Sequence, residues 1–155
     1  MIIKVALSVT SPLGKKYQDQ ILTQYRSLFA TMQPLVKEIN GRHAYRQFGS
    51  LAAKWGPGEC MALAIDESTE TLLGFLHFSY STSGDRFLWI HNFFVSESER
   101  GRGTGKALME WTQNYGRTKG CQWAQLYVLD NNTSAQRLYE SMGFQTENRG
   151  MTLEL

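Results

Sequence analysis

The spacing of apolar positions changes period along the chain, and the changes predict its elements. Residues 2–8 form an apolar run that reads as a first strand. Over 15–39, Ile21, Tyr25, Leu28, Phe29 and Met32 fall on one stripe at helical spacing. A helix is expected there, kinked or ended at Pro34, which lacks the backbone N–H a helix interior needs. Residues 43–55 predict a second helix, stopped by Gly56, Pro57 and Gly58. The pattern then turns extended. Residues 60–65 and 71–80 read as a hairpin-like pair of strands around Asp66, Glu67 and Ser68. Ser81 to Asp85 is a turn, and 86–95 an aromatic-rich strand. Helical spacing returns over 104–118, with Ala107, Leu108, Trp111 and Tyr115 on one face and Gly116 and Gly120 weakening and ending it. Residues 122–129 predict a strand and 133–142 a helix stopped by Gly143; the tail, 144–155, has room for two short strands. Strand–helix–strand in the second half implies a crossover and parallel pairing. The expected order is β-α-α-β-β-β-α-β-α-β-β.

No repeat, low-complexity tract or linker divides the 155 residues, so a single domain over 1–155 is expected. A composition of 42% hydrophobic and 19% charged residues suits a globular chain with a sizeable core. No apolar run approaches the roughly 18 residues of a membrane span. The opening Met1-Ile2-Ile3-Lys4-Val5 lacks a signal-peptide pattern, so a cytoplasmic location and no membrane partner are expected. Cys60 and Cys121 are far apart and outside any C-x-x-C pair, which fits reduced, packed thiols and no structural zinc. A net charge of +2 gives no argument for nucleic acid.

The chemistry concentrates in one loop. After Phe93-Phe94-Val95 comes Arg100-Gly101-Arg102-Gly103-Thr104-Gly105-Lys106, and then a helix begins. A helix N-terminus offers unpaired N–H groups and a partial positive charge, and glycines let a ligand approach the backbone. With Arg100, Arg102 and Lys106 added, the loop is an anion cradle suited to a phosphate or pyrophosphate. It is not a Walker loop: Gly101 and Gly105 are one residue too close, and Ala107 replaces the magnesium-binding Ser or Thr. A G-x-G-x-x-G dinucleotide motif would need glycine where Lys106 stands.

Arg100, Gly103 and Gly105 do supply R-x-x-G-x-G, and here the sequence resembles the GCN5-related N-acetyltransferase (GNAT) superfamily. Downstream, Asn132, Ala135, Leu138, Tyr139, Gly143 and Phe144 are similar to the family's N-x-x-A-x-x-L-Y-x-x-x-G-F segment. The likeness covers roughly 86–145. It implies an α/β (α+β) fold with a mixed sheet of about six to seven strands, about four flanking helices and a splayed parallel pair, here 86–95 and 122–129. It implies acetyl-CoA as cofactor, held by Phe93, Phe94, Val95, the 100–106 loop, Asn132 and Ser134. A backbone N–H freed at a bulge near Phe93 would polarise the thioester carbonyl.

Tyr139 matches the family's tyrosine that protonates the leaving thiolate. The alternative for Tyr139 is a core aromatic, and for Asn132 a helix cap. His91, two residues before Phe93 and on its side of the strand if alternation holds, is a candidate base; a hydrogen-bonded core histidine is the other reading. His77 on the preceding strand and His43 are weaker candidates. The segment Trp89 to Val95 also resembles the spermidine/spermine branch of the family, which carries acidic residues where His91 and Asn92 stand. The loss of two negative charges argues against a polycationic substrate. The expected acceptor is a primary amine of a small molecule, with Tyr25, Phe29, Tyr45, Phe48, Trp55, Tyr80 and Trp89 as candidate lining residues or core. The resemblance also allows a homodimer. The rival functions are a non-catalytic acyl-CoA-binding domain and an acetyltransferase directed at a protein or tRNA.

Overall fold

The computed structural model describes residues 1–40, 51, 54–151, 153 and 155. The described residues of Met1–Leu28 and Gln47–Tyr127 form one compact unit; those of Phe29–Arg46 and Val128–Leu155 form a second. The first unit is built on a five-stranded sheet in sequence order: β1 (Ile2–Ala6), β2 (Glu59–Asp66), β3 (Thr71–Tyr80), β4 (Phe87–Val95) and β5 (Trp123–Leu126). The first four strands pair antiparallel, while β4 and β5 pair parallel through the crossover helix α2 (Thr104–Thr118). Strands β2 and β3 are buried along most of their length, as strands covered on both faces must be.

Helix α1 (Pro12–Asn40) covers one face. Its Tyr25 stacks on Phe75 of β3 with ring centroids 4.8 Å apart, and Gln24 donates to the Leu72 carbonyl at 2.7 Å. Helix α2 covers the other face, where Tyr115 meets Phe78 edge-on at 5.6 Å. β3 thus sends Phe75 and His77 toward α1 and Phe78 and Tyr80 toward α2, the alternation that a pleated strand requires. The second unit holds α3 (Thr133–Ser141), capped by Asn132, whose Oδ1 accepts the Ala135 N–H at 3.3 Å.

Two expectations need correction. The sheet has five strands among the described residues, against about six to seven. The described part of the 144–155 tail forms no strand. Of the two outcomes expected at Pro34, a kink or an end, the end is ruled out: Pro34 lies inside α1, which continues to Asn40. The expected helix over 43–55 and His43, Tyr45 and Phe48 within it lie outside the described residues, apart from Leu51, Lys54 and Trp55.

Two features shape the site. Parallel pairing runs from Phe87↔Trp123 to Ile90↔Leu126 and stops there, while β4 continues from His91 to Val95. β5 ends at Leu126, so β4 runs on beyond it from His91 to Val95. At that same point the register of β3 against β4 slips: His77 opposes Asn92, but Phe78 opposes Ile90, so His91 is the extra residue of a β-bulge.

Gly74 keeps the far end of β4 in place. A Cβ there would lie 2.6 Å from the Phe94 carbonyl oxygen and 3.2 Å from Val95 Cα, both backbone atoms of β4. Gly74→Ala is expected to destabilise the protein by about 1–3 kcal/mol. Urea denaturation checks this, and a loss below about 0.5 kcal/mol would contradict it.

Candidate functional site

The loop before α2 is open backbone. Gly101 and Gly103 have φ of 75° and 86°, and a Cβ on either would meet nothing within 4 Å. Positive φ suits glycine and turns the chain so that its amides converge on α2. Gly103 caps α2 without a side-chain bond, and the first helical bond runs from the Ala107 N–H to the Gly103 carbonyl. The N–H groups of Thr104, Gly105 and Lys106 are thus left to a ligand. Gly105 serves packing as well: a Cβ there would come within 3.1 Å of the Phe93 ring, so glycine lets α2 approach β4 beyond the end of β5. Thr104 is buried, while Arg102 and Lys106 are well exposed. Arg102 pairs loosely with Glu99 at 3.4 Å and Lys106 with Glu110 at 3.7 Å. Both exposed pairs are weak enough to open toward an anion. Arg100 donates to the Val95 carbonyl at 3.4 Å and lies over the Phe94 ring at 6.0 Å. The chemistry fits a pyrophosphate, and Phe93, Phe94 and Val95 lie in the stretch of β4 that runs on beyond β5.

The bulge separates residues expected to share a side. Phe93 points to α2, against Gly105. His91 points to α1: its Nε2 bonds Ser79 Oγ at 2.7 Å, and its ring lies 5.1 Å from that of His77. The inserted residue resets the alternation, so His91 and Phe93 occupy opposite faces.

On the α1 face the structure assembles a buried polar chain. Tyr25 Oη meets His77 Nδ1 at 2.5 Å, and His77 Nε2 meets Glu59 Oε2 at 2.7 Å. A carboxylate only accepts, so Nε2 carries the proton and Nδ1 accepts from the tyrosine. Burial lowers the His77 pKa to about 4, against the opposing pull of the Glu59 charge, so the ring is neutral at pH 7. Burial pushes the Tyr25 hydroxyl up and keeps it protonated, though its bond with Asn92 at the bulge works the other way. Burial alone would raise Glu59, but the Gly56 N–H at 2.7 Å and His77 hold the carboxyl below its ordinary range.

In the second unit, Ser134 Oγ donates to Asn132 Oδ1 at 3.3 Å, which joins the cap. Burial raises the Tyr139 hydroxyl, so it keeps its proton at neutral pH, and its ring meets Phe144 edge-on at 6.0 Å.

Comparison with known proteins agrees with this geometry. Residues 23–144 match the model of the acetyltransferase (GNAT) family. The chain belongs to that family. A thialysine N-epsilon-acetyltransferase of Bos taurus is 35% identical over 72 residues, 46% of this chain and 42% of that protein. A spermine/spermidine N(1)-acetyltransferase of Bacillus subtilis is 34% identical over 59 residues, 37% of this chain and 39% of that protein. The chain thus spans less than half the length of these relatives. An aminoglycoside N-acetyltransferase, AAC(6')-Iy, solved in complex with CoA, shares the fold with a TM-score of 0.61 at 18% identity, over 99% of this chain and 98% of that one.

Within this GNAT chain four of the expected acceptor-side aromatics are described in the first unit. Tyr25 and Trp55 are buried in the core. Tyr80 lies on the α2 face against Tyr115, at 6.0 Å, and the Trp89 ring lies tilted 5.0 Å from that of Phe87. Sequence reasoning overlooked Glu59 and passed over His77; the partners of His77 lie 52 and 18 residues away, so no local motif marks them. Among the described residues no helix is long and apolar enough to cross a membrane.

The buried neutral histidine predicts a pH dependence. The unfolded chain takes up a proton near the ordinary value of about 6.5 and the folded one only near about 4, so stability present above pH 6.5 is lost as pH falls through that window. Urea denaturation should show up to about 3 kcal/mol lost between pH 7 and pH 4, and His77→Gln should flatten that slope. An equally steep slope in the variant would contradict the assignment.

Proposed function

We propose that the chain, acting as one N-acetyltransferase domain over 1–155, transfers an acetyl group from acetyl-CoA to a primary amine of a small molecule. The observation that carries this reading is the open loop at Gly101 to Lys106 beside the stretch of β4 that runs on beyond β5. The names of two similar proteins, a thialysine and a spermine/spermidine acetyltransferase, support the reaction class.

Bound acetyl-CoA supplies the acyl group as a thioester. The loop amides from Gly103 to Lys106, with Arg100, Arg102 and Lys106, hold its pyrophosphate. Phe93 to Val95 offer backbone groups to the pantetheine arm, with Asn132 and Ser134 as further contacts. A backbone N–H freed by the bulge polarises the thioester carbonyl and stabilises negative charge as the amine attacks. A lysine-like acceptor must first lose its proton, which at pH 7 costs about 4–5 kcal/mol. The exposed His91 on the α1 face is the candidate to take that proton, directly or through water. Tyr139 gives its proton to the leaving thiolate; its raised pKa suits an acid that must stay protonated. The reaction fits a cytoplasmic enzyme, and a homodimer is compatible with it.

Thiol release tests the reading. Purified protein with acetyl-CoA and a panel of small primary amines should release free CoA and yield the N-acetyl product. Tyr139→Phe should lower kcat about 10- to 1000-fold while leaving acetyl-CoA affinity within about twofold. An unchanged rate would remove Tyr139 from the mechanism. Absence of turnover across the panel, with CoA still bound, would favour a non-catalytic acyl-CoA-binding domain.

A further inference from the structure

We propose that Tyr25 is a positioning residue for acetyl transfer: bonded to His77 on one side and to Asn92 on the other, it holds the β4 bulge so that the N–H freed there stays aimed at the thioester carbonyl. This rests on the acetyltransfer reading and assigns a further residue to that same site.

The chain of bonds runs in one direction. The Glu59 carboxylate only accepts, so His77 gives it the Nε2 proton at 2.7 Å. His77 Nδ1 is then left to accept, and Tyr25 gives it the hydroxyl proton at 2.5 Å. With that proton engaged, the Tyr25 oxygen accepts, and its bond with Asn92 takes an N–H of the side-chain amide. Each donor and acceptor thus fixes the next, from Glu59 of β2 through β3 and α1 to the residue that follows His91 in the bulge.

The anchor is rigid. Tyr25 and His77 are 0% and 2% exposed. The Tyr25 ring stacks on Phe75 at 4.8 Å, and Phe75 in turn on Phe94 of β4 at 6.3 Å. Gln24, the preceding residue of α1, donates through Nε2 to the Leu72 carbonyl at 2.7 Å and to Ser96 Oγ at 3.0 Å. Ser96 follows the last residue of β4. Two consecutive residues of α1 therefore grip the chain at both ends of the stretch from Asn92 to Ser96.

A bulge needs such a hold. An inserted residue interrupts the ladder and bends the strand, so pairing with β3 fixes the direction of its N–H only loosely. Pairing with β5 has already ended at Ile90↔Leu126. An oxyanion donor is effective only when it is in place before charge develops, and a misplacement of about 1 Å costs about 100-fold in rate. A side chain bonded to a fully buried phenol supplies the fixed point.

Two variants cut the chain at different places. Tyr25→Phe keeps the stacked ring and removes the hydroxyl; Asn92→Ala removes the amide at the bulge. Each is measured for acetyl-CoA affinity by calorimetry and for kcat by thiol release with a small primary amine. The third readout is the infrared C=O stretch of bound acetyl-CoA carrying a heavy-carbon label at the acetyl carbonyl. Both variants are expected to lose about 10- to 100-fold in kcat, to bind acetyl-CoA within about twofold of the wild type and to move the carbonyl band to higher wavenumber. The double variant should be about as slow as the slower single one, because both changes remove one linkage. A band that stays at its wild-type position in the variants overturns the proposal, as does an unchanged kcat. Loss of acetyl-CoA affinity in both variants overturns it as well, since the chain would then support the whole site and not the transfer step. Thermal unfolding shows whether Tyr25→Phe is folded; should it unfold, Asn92→Ala, at the half-buried end of the chain, decides alone. A wild-type band at its position in buffer overturns the proposal and leaves acetyl transfer standing. Absence of turnover in the wild type defeats the acetyltransfer reading, and the proposal with it.

Discussion

The end of parallel pairing at Ile90↔Leu126 is the constraint on which the first unit's site depends. A parallel strand that stayed paired would spend its backbone groups on its neighbour. Beyond the end of β5, the groups of β4 from His91 to Phe94 on that side have no partner strand among the described residues, and the Val95 carbonyl accepts from Arg100. The bulge at His91 sharpens the break, because an inserted residue unpairs the ladder and raises the local twist. Gly74 and Gly105 then let the neighbouring backbone of β3 and α2 come close to that stretch. The uncapped start of α2 places its amides beside the same stretch. A sheet with one interrupted ladder and a helix with one unsatisfied end thus make a concentrated polar site inside an otherwise apolar fold.

The α1 face obeys a different constraint. A buried histidine must find partners for both ring nitrogens, because an unmade buried bond costs about 1–3 kcal/mol. Tyr25 and Glu59 satisfy His77 and, in doing so, link α1, β3 and β2, while Asn92 ties the tyrosine to the bulge. The same network that closes the polar account in the core fixes a carboxylate at the edge of the site.

Much of the fold was legible in the sequence because the apolar period switches cleanly. The three helices and five strands described match expected elements within a few residues, and the parallel pair falls within 86–95 and 122–129 as expected. The tail misled. It has room for two short strands, yet its described residues form none, and Met151, Leu153 and Leu155 are largely exposed. The loop was legible because its glycines and cations are contiguous. The bulge was not, since it exists only in the register between two strands, and without it His91 was assigned to the side of Phe93. The Tyr25–His77–Glu59 chain was also hidden. Its members come from three elements, and each alone reads as ordinary core or surface.

The central claim is that the 101–106 backbone beside the far end of β4 is a CoA cradle, and calorimetric titration tests it most directly. The wild-type chain should bind acetyl-CoA and CoA and bind ATP far more weakly, because the site reads a pantetheine arm as well as phosphates. Gly103→Glu, which adds a carboxylate and strains a residue at φ 86°, should weaken CoA binding by about tenfold or more. Equal affinity for CoA and ATP, or full CoA affinity in the Gly103 variant, would contradict the account.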